Sequence, residues 1–351
     1  MNRSFWKGKR VFLTGHTGFK GGWLALWLAD MGAKVHGYAL IPPTEPSLFV
    51  AANVQDILAS STIADIRDLP VLVEAMQEAK PEIVFHFAAQ PLVRHSYEAT
   101  PETYAVNVMG TVNLLEGVRQ TPGVTAVINI TTDKCYENQE WVWAYRENEA
   151  LGGLDPYSSS KACSELVTAA YRHSFFKSSG VRLASARAGN VVGGGDWSDN
   201  RLIPDAIRAW KSNEILSIRN PKSTRPWQHV LEPLNGYLKL GSHLYVSNKF
   251  HGHSFNFGPS FKKNYRVIDV MNEIKKNIPE AKWKVLKNGV KDENKLLKLD
   301  SKKSLTLLRW KNLLNFQNTI YYTTEWYKNY RKNKKIIEFS KKQITNFTKL
   351  I

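Results

Sequence analysis

Two cysteines in 351 residues leave this chain almost nothing to crosslink. Cys135 and Cys163 read as reduced thiols, which excludes a disulfide-stapled scaffold. Long apolar runs are missing too: none approaches the ~18 residues of a membrane span, because Gly, Asp or Lys cuts each one short. Residues 1–10 are basic but lead straight into a strand and a glycine loop, without the apolar core of a secretory signal. The expectation is a cytoplasmic protein with no membrane partner. Signatures of RRM, KH and zinc modules are absent as well, although the net charge of +17 invites a nucleic-acid reading. Its distribution argues otherwise. Residues 261–351 hold 23 Lys+Arg against 8 Asp+Glu, whereas the first 260 hold 25 against 23. The excess is Lys- and Asn-rich and lies outside the motif-bearing part, so it reads as solvated surface plus a tail. No nucleic acid and no metal are expected; the positive charge suits a negatively charged small molecule or an acidic partner.

What is present is ample apolar material, 43% of residues, enough for one large domain or two joined ones. The first half alternates short β-branched runs with helical patterns, as a doubly wound parallel sheet requires. Strands are expected at residues 11–14, 35–40, 63–66 (the end of a third), 83–88, 127–131 and 181–186. Helices are expected at 19–31, around 71–79 and at 102–120, with another after Asp155-Pro156. Beyond about Ala188 the alternation gives way to Gly-, Pro- and Trp-containing segments with short helices at 202–211 and 231–240. The fold class is thus α/β: a Rossmann-type doubly wound parallel sheet with a smaller C-terminal α/β substrate-binding domain. The expected division is 1–188 for the dinucleotide domain, with short returns to it within 226–258. Residues 189–331 form the substrate domain and 332–351 a lysine-rich tail, helical or disordered.

Gly15-His16-Thr17-Gly18-Phe19-Lys20-Gly21 falls between the first strand and the first helix. Glycines there permit a tight turn, close approach of backbone to a pyrophosphate and close helix packing, with the helix N-terminus facing the anion. Gly15, Thr17, Gly18, Phe19 and Gly21 are the candidate cofactor contacts. The carboxylate expected near the end of strand two is missing: Tyr38-Ala39-Leu40 stand there, and no acid follows until Glu45. Lys20 adds positive charge to the loop. Asp65, followed by Ile66, could accept from an adenine amino group or could cap a helix. Ala88, Ala89 and Gln90 close strand four with small side chains that would let a cofactor cross the sheet edge; tight packing explains them equally. Asn107 is either a solvent-facing amide or a support for a group near the site.

Thr131-Thr132-Asp133-Lys134 ends strand five, where an open parallel sheet frames its site. Tyr157 and Lys161 follow, four apart on one helix face, so an ammonium beside a phenol favours the phenolate and draws its pKa from ~10 toward neutrality. Thr132 can share a substrate proton with Tyr157. Asp133 and Lys134 form a second acid/base pair, more than a simple alcohol dehydrogenase needs.

These motifs resemble the extended short-chain dehydrogenase/reductases, and within them the CDP-glucose 4,6-dehydratases. The likeness runs to about Arg331. It is carried by residues 15–21, 42–49, Thr132-Asp133-Lys134, 157–161, 189–197 and Arg225-Pro226-Trp227-Gln228-His229. Thymidine-sugar dehydratases of the group carry Asp-Glu where this chain has Asp133-Lys134; an inverting UDP-N-acetylglucosamine dehydratase group shares Thr-Asp-Lys. The resemblance implies NAD as cofactor and a homodimer built through two long helices of each subunit. It implies Thr132, Tyr157 and Lys161 as the dehydrogenase triad, with Asp133 and Lys134 serving an elimination. It also implies Asn190, Arg201, Arg225 and Asn256 as sugar-nucleotide contacts, where an arginine fork suits a pyrophosphate. Trp197 and Trp227 either flank the nucleotide or pack. The implied reaction converts CDP-glucose to CDP-4-keto-6-deoxyglucose and water; rivals are a UDP-N-acetylglucosamine dehydratase, a 4-epimerase and a turnover-free nucleotide sensor.

Overall fold

Apolar alternation along the strands sorts side chains onto two faces of one sheet, and each face is covered by helices. The computed structural model describes residues 3–259, 265–286 and 297–351. Seven strands, β1 Arg10–Thr14, β2 Lys34–Ala39, β3 Ser60–Ile63, β4 Ile83–His86, β5 Ala126–Thr132, β6 Arg182–Ala188 and β7 Ser254–Phe257, form the main sheet. Their order is β7-β6-β5-β4-β1-β2-β3 and every pairing is parallel. The order reverses between β1 and β4, and such a reversal opens a crevice at the strand carboxyl ends.

Val11 and Leu13, Ile83 and Phe85, and Ala126 and Ile128 face one core. It is shared with α1 (Phe19–Asp30), buried from Gly21 through Leu28. Phe12, Val84 and Val127 face the other, beneath α2 (Leu69–Ala79) and α3 (Gly110–Arg119). α4 (Pro156–Ser174) starts on Asp155, whose carboxylate accepts from Ser158 N, with Pro156 at its first position. Its buried residues include Tyr157, Ser160, Lys161, Ser164 and Glu165.

Several elements differ in detail from expectation. β3 ends at Ile63, so Asp65 and Ile66 lie in the loop that follows. The long helix expected at 102–120 runs from Thr100 to Arg119 but contains a π turn at Ala105–Met109. Of the two alternatives for the tail the helix is found, and it is not wholly solvated: α7 (Ile336–Thr348) buries Ile336, Ile344 and Phe347. Phe347 packs edge-on against Trp27 of α1 at 5.7 Å between ring centroids. Lysines on the outer face hid this inner stripe. Phe347→Ala should therefore lower unfolding free energy by about 3–5 kcal/mol in urea titration, because a fully buried aromatic leaves a cavity.

After Ala188 the chain forms small two-stranded pairs and the helices Leu202–Lys211 and Val267–Asn277, with α6 (Phe316–Arg331) behind them. Between these, α5 (Leu231–Val246) and β7 rejoin the main sheet; α5 is longer than the 231–240 expected. Both tryptophans singled out in this region pack. Trp197 lies against Tyr327 and Tyr330, and Trp227 donates its indole N–H to the Tyr265 carbonyl at 3.1 Å. Among the described residues no helix is long and apolar enough to cross a membrane.

Candidate active site

The glycine loop lies at the β1/β4 crevice, and its shape is enforced by contacts. Gly15 has φ +76°, and a Cβ there would meet the backbone of Phe87 and Ala88 at 2.9 Å. A Cβ on Gly21 would strike the Gly15 carbonyl at 2.1 Å. Gly18 caps α1 without any side-chain hydrogen bond, and the first turn holds no acid. The N–H groups of that helix start are therefore left for an anion. Thr17 is tied by its hydroxyl to the Leu40 carbonyl at 2.9 Å, and the Phe19 ring reaches toward Gly193. A dinucleotide fits this cradle.

Along the rest of the crevice, Thr14 Oγ1 accepts from the N–H groups of Phe87 and Ala88. Ala89 follows, half-buried. Gln90 spends its side chain on Thr103 and Leu92. Asn107 is buried, not solvent-facing. From the π turn its amide holds both the N–H and the carbonyl of Gln90, and donates to Ser160 of α4 at 2.9 Å. The π turn thus clamps the cofactor-side loop to the tyrosine helix. Asp65 is less available than expected, since Arg67 forks onto its carboxylate at 2.6 and 3.0 Å and holds it below its ordinary pKa. The helix cap here is Asp68, not Asp65. Ile66 is buried against Gly110.

At the end of β5, one hydrogen-bonded chain joins the expected reactive groups. Thr132 Oγ1 donates to Asp133 Oδ1 at 2.9 Å and lies within hydrogen-bonding reach of the Tyr157 hydroxyl. Asp133 is buried with a carboxylate oxygen against Gly189, where a Cβ would sit 2.7 Å away. Burial raises its pKa, opposed by Lys134 and by the Thr132 bond. Lys134 is half-buried beside it, its backbone N–H on Thr132 Oγ1. Lys161 reaches the Ile130 carbonyl at 3.5 Å and is lowered to about 8 by burial, against the pull of Glu165. Tyr157 departs from expectation. Burial pushes its phenol up to about 12; the Thr132 bond and the Arg201 charge pull it down without prevailing. Lys161 alone does not carry the phenol toward neutrality.

Arg201 is held charged by Asp196 at 2.9 Å and lies close enough to act on Tyr157. Arg225 acts on Asp133 from the opposite strand pair. Asn190 precedes the short strand Val191–Val192, its carbonyl accepting from Gln228 N. Asn256 corrects the expectation. Fully buried in β7, it accepts from Tyr136 and donates to the carbonyls of Tyr145 and Asp300. Both donors and the acceptor of its amide are already engaged inside the protein. Three residues that pattern reading did not single out as contacts also border the site: Phe87, Lys20 and Tyr237, with Lys20 Nζ donating to Tyr237 Oη at 3.2 Å. The loop position of Lys20 was the available signal.

A parallel sheet with a glycine cradle at its switch point and a Tyr-Thr-Asp chain over it defines a nucleotide-dependent enzyme of the short-chain dehydrogenase/reductase kind. The chain belongs to the family described as GDP-mannose 4,6 dehydratase, matched over residues 12–323. It is 49% identical to the CDP-glucose 4,6-dehydratase of Salmonella typhimurium strain LT2, over 99% of this chain and 98% of that protein. A probable dTDP-glucose 4,6-dehydratase of Sinorhizobium fredii is 25% identical over 91% of this chain and 92% of its own length. Among solved structures, the dTDP-glucose 4,6-dehydratase of Streptomyces venezuelae with NAD bound superposes with TM-score 0.77 at 21% identity, covering 93% of this chain and 99% of that one.

Proposed function

We propose that this chain is a NAD-dependent hydro-lyase that converts CDP-D-glucose to CDP-4-keto-6-deoxy-D-glucose and water. The carrying observation is Thr132, bonded to Asp133 and adjacent to Tyr157, which sets a base for alcohol oxidation and an acid for water loss on either side of one hydroxyl. Bound NAD supplies the acceptor, and later the donor, of a hydride. Tyr157 takes the proton of the sugar 4-hydroxyl, with Thr132 steadying that oxygen. The resulting ketone acidifies the proton at C5. Lys134 removes that proton, and Asp133, kept protonated more readily by burial, gives one to the departing 6-hydroxyl. The hydride taken from C4 is returned to C6 and Lys134 gives its proton back to C5, so the net redox change is zero and the cofactor stays in place.

Gly15, Thr17, Gly18, Phe19 and Gly21 hold the diphosphate side of the cofactor; Ala88, Ala89 and Gln90 border its path, Ile66 and Asp65 its adenine end. Arg201, Arg225 and Asn190 hold the sugar nucleotide, with Arg225 facing Asp133 and Arg201 facing Tyr157. We place the enzyme in the cytoplasm, in keeping with two free cysteines, and as a homodimer. The long helices leave Met109 and Leu166 exposed, 51% and 58%, as contact residues for a second copy. The function is tested by incubating purified protein with NAD and a panel of nucleotide hexoses. NMR should show only CDP-glucose consumed, giving the 4-keto-6-deoxy product. Preferential turnover of UDP-N-acetylglucosamine, or a galacto-configured product, would overturn the assignment.

A further inference from the structure

Lys20 is in an unfavourable place for a cation. It is the second residue of α1, at the helix end where the backbone already carries partial positive charge. Its side chain turns inward across the crevice, Nζ 3.2 Å from the hydroxyl of Tyr237 on α5 and 5.9 Å from the centre of the Phe87 ring at the end of β4. Tyr237 is wholly buried and burial pushes its phenol up, so it offers a neutral oxygen, not a counter-charge. The groups that face the amine are Lys161 from α4 and Arg201 from the substrate side, both repulsive, and Asp133 from the end of β5, the one attractive charge. Among the described residues no carboxylate lies within ion-pair distance of it. Burial first, then Lys161 and Arg201, bring the amine down to about 7. Arg201 is already matched by Asp196, so the Lys20 amine has only Asp133 to balance it beside a helix N-terminus, and positive charge is in excess there. A dianionic group entering along the glycine loop would offset it.

We infer that Lys20 is a cofactor-positioning residue whose ammonium, steadied by the Tyr237 hydroxyl, contacts the diphosphate of bound NAD. This rests on the NAD-dependent reading above and extends it to a residue outside the glycine cradle. The diphosphate favours the charged amine and so raises its pKa above about 7. Binding then takes up a proton at pH 8, and affinity falls as pH climbs from 7. At pH 6 the amine is already charged and this uptake vanishes.

The test is titration calorimetry of the full chain with NAD and with ADP-ribose, in buffers of different ionisation enthalpy, at pH 6 and pH 8. Lys20→Met should bind both ligands about ten- to a hundredfold more weakly, the loss of one charge-assisted contact. It should also take up close to one proton fewer at pH 8. Lys20→Arg should recover most of the affinity without that uptake. Tyr237→Phe, which keeps the core filled, should weaken both ligands by a smaller factor. Unchanged affinity and uptake in Lys20→Met would overturn the inference. So would a loss confined to NAD, since ADP-ribose keeps the diphosphate and lacks the nicotinamide. Failure of the unaltered protein to bind NAD would instead remove the functional reading on which this stands.

Discussion

Replacing Asp133 by Asn should halt the reaction after its first oxidation. The amide keeps the size of the carboxyl group and can still accept from Thr132, so Tyr157 retains the hydrogen bond that orients it. What is lost is a transferable proton at the buried position beside Gly189. On adding CDP-glucose to Asp133→Asn, absorbance of the reduced cofactor should rise and persist. Formation of the 6-deoxy product should fall about 10²–10⁴-fold, the usual worth of a positioned acid. With substrate deuterated at C4, the unaltered enzyme should deliver label to C6 and the variant should not. Tyr157→Phe should show neither step. Lys134→Met should behave like Asp133→Asn in oxidation but also block solvent-deuterium entry at C5. Normal C5 exchange in that variant would move the base elsewhere, and a full-rate Asp133→Asn enzyme would dismiss Asp133 as the acid.

Local chemistry made much of this molecule legible. The strands are short apolar runs, the glycine loop is spaced by steric need, and Tyr157 and Lys161 meet because four residues make about one helical turn. Those rules operate within a few residues. What escaped depended on distant partners. Lys20 is read by a tyrosine 217 residues away. Asn256 looks like a site amide until Tyr136, Tyr145 and Asp300 close around it. Asn107 looked solvent-facing or supportive with equal weight, and only the packing of α4 chose between them. The tail helix carries its apolar residues among lysines, so its buried face emerged once Trp27 was there to receive it. The Tyr157 phenol failed for the same reason: a spacing rule counts the neighbouring ammonium and cannot count the desolvation of a closed site.

Beneath the reactive groups lies a second pair whose disruption should be felt in stability as well as chemistry. Glu165, one turn beyond Lys161 on α4, and Arg187 on β6 form a two-pronged bridge at 2.9 Å for each contact, with side chains 3% and 4% exposed. Thr131 and Ser185 also donate to Glu165, and Arg187 reaches the Tyr136 hydroxyl. Burial pushes the Glu165 carboxyl up, but Arg187 and these hydroxyls outweigh it and hold it below the usual carboxylate value. Glu165→Gln leaves a guanidinium buried without its counter-charge and should cost about 3–5 kcal/mol in urea unfolding at pH 7. Because the folded carboxyl is depressed, this contribution is complete above the ordinary carboxylate range and is lost only as pH falls through the lower folded value. The gap between variant and parent should therefore be equal at pH 8 and pH 6. A double variant, Glu165→Leu with Arg187→Met, should regain much of the loss, since an apolar pair leaves no uncompensated charge. Glu165 also raises Lys161, so Glu165→Gln should move the lysine further below about 8 and shift the alkaline limb of the rate profile to lower pH. A variant as stable as its parent, with an unmoved profile, would show that the bridge neither supports the sheet nor tunes the lysine above it.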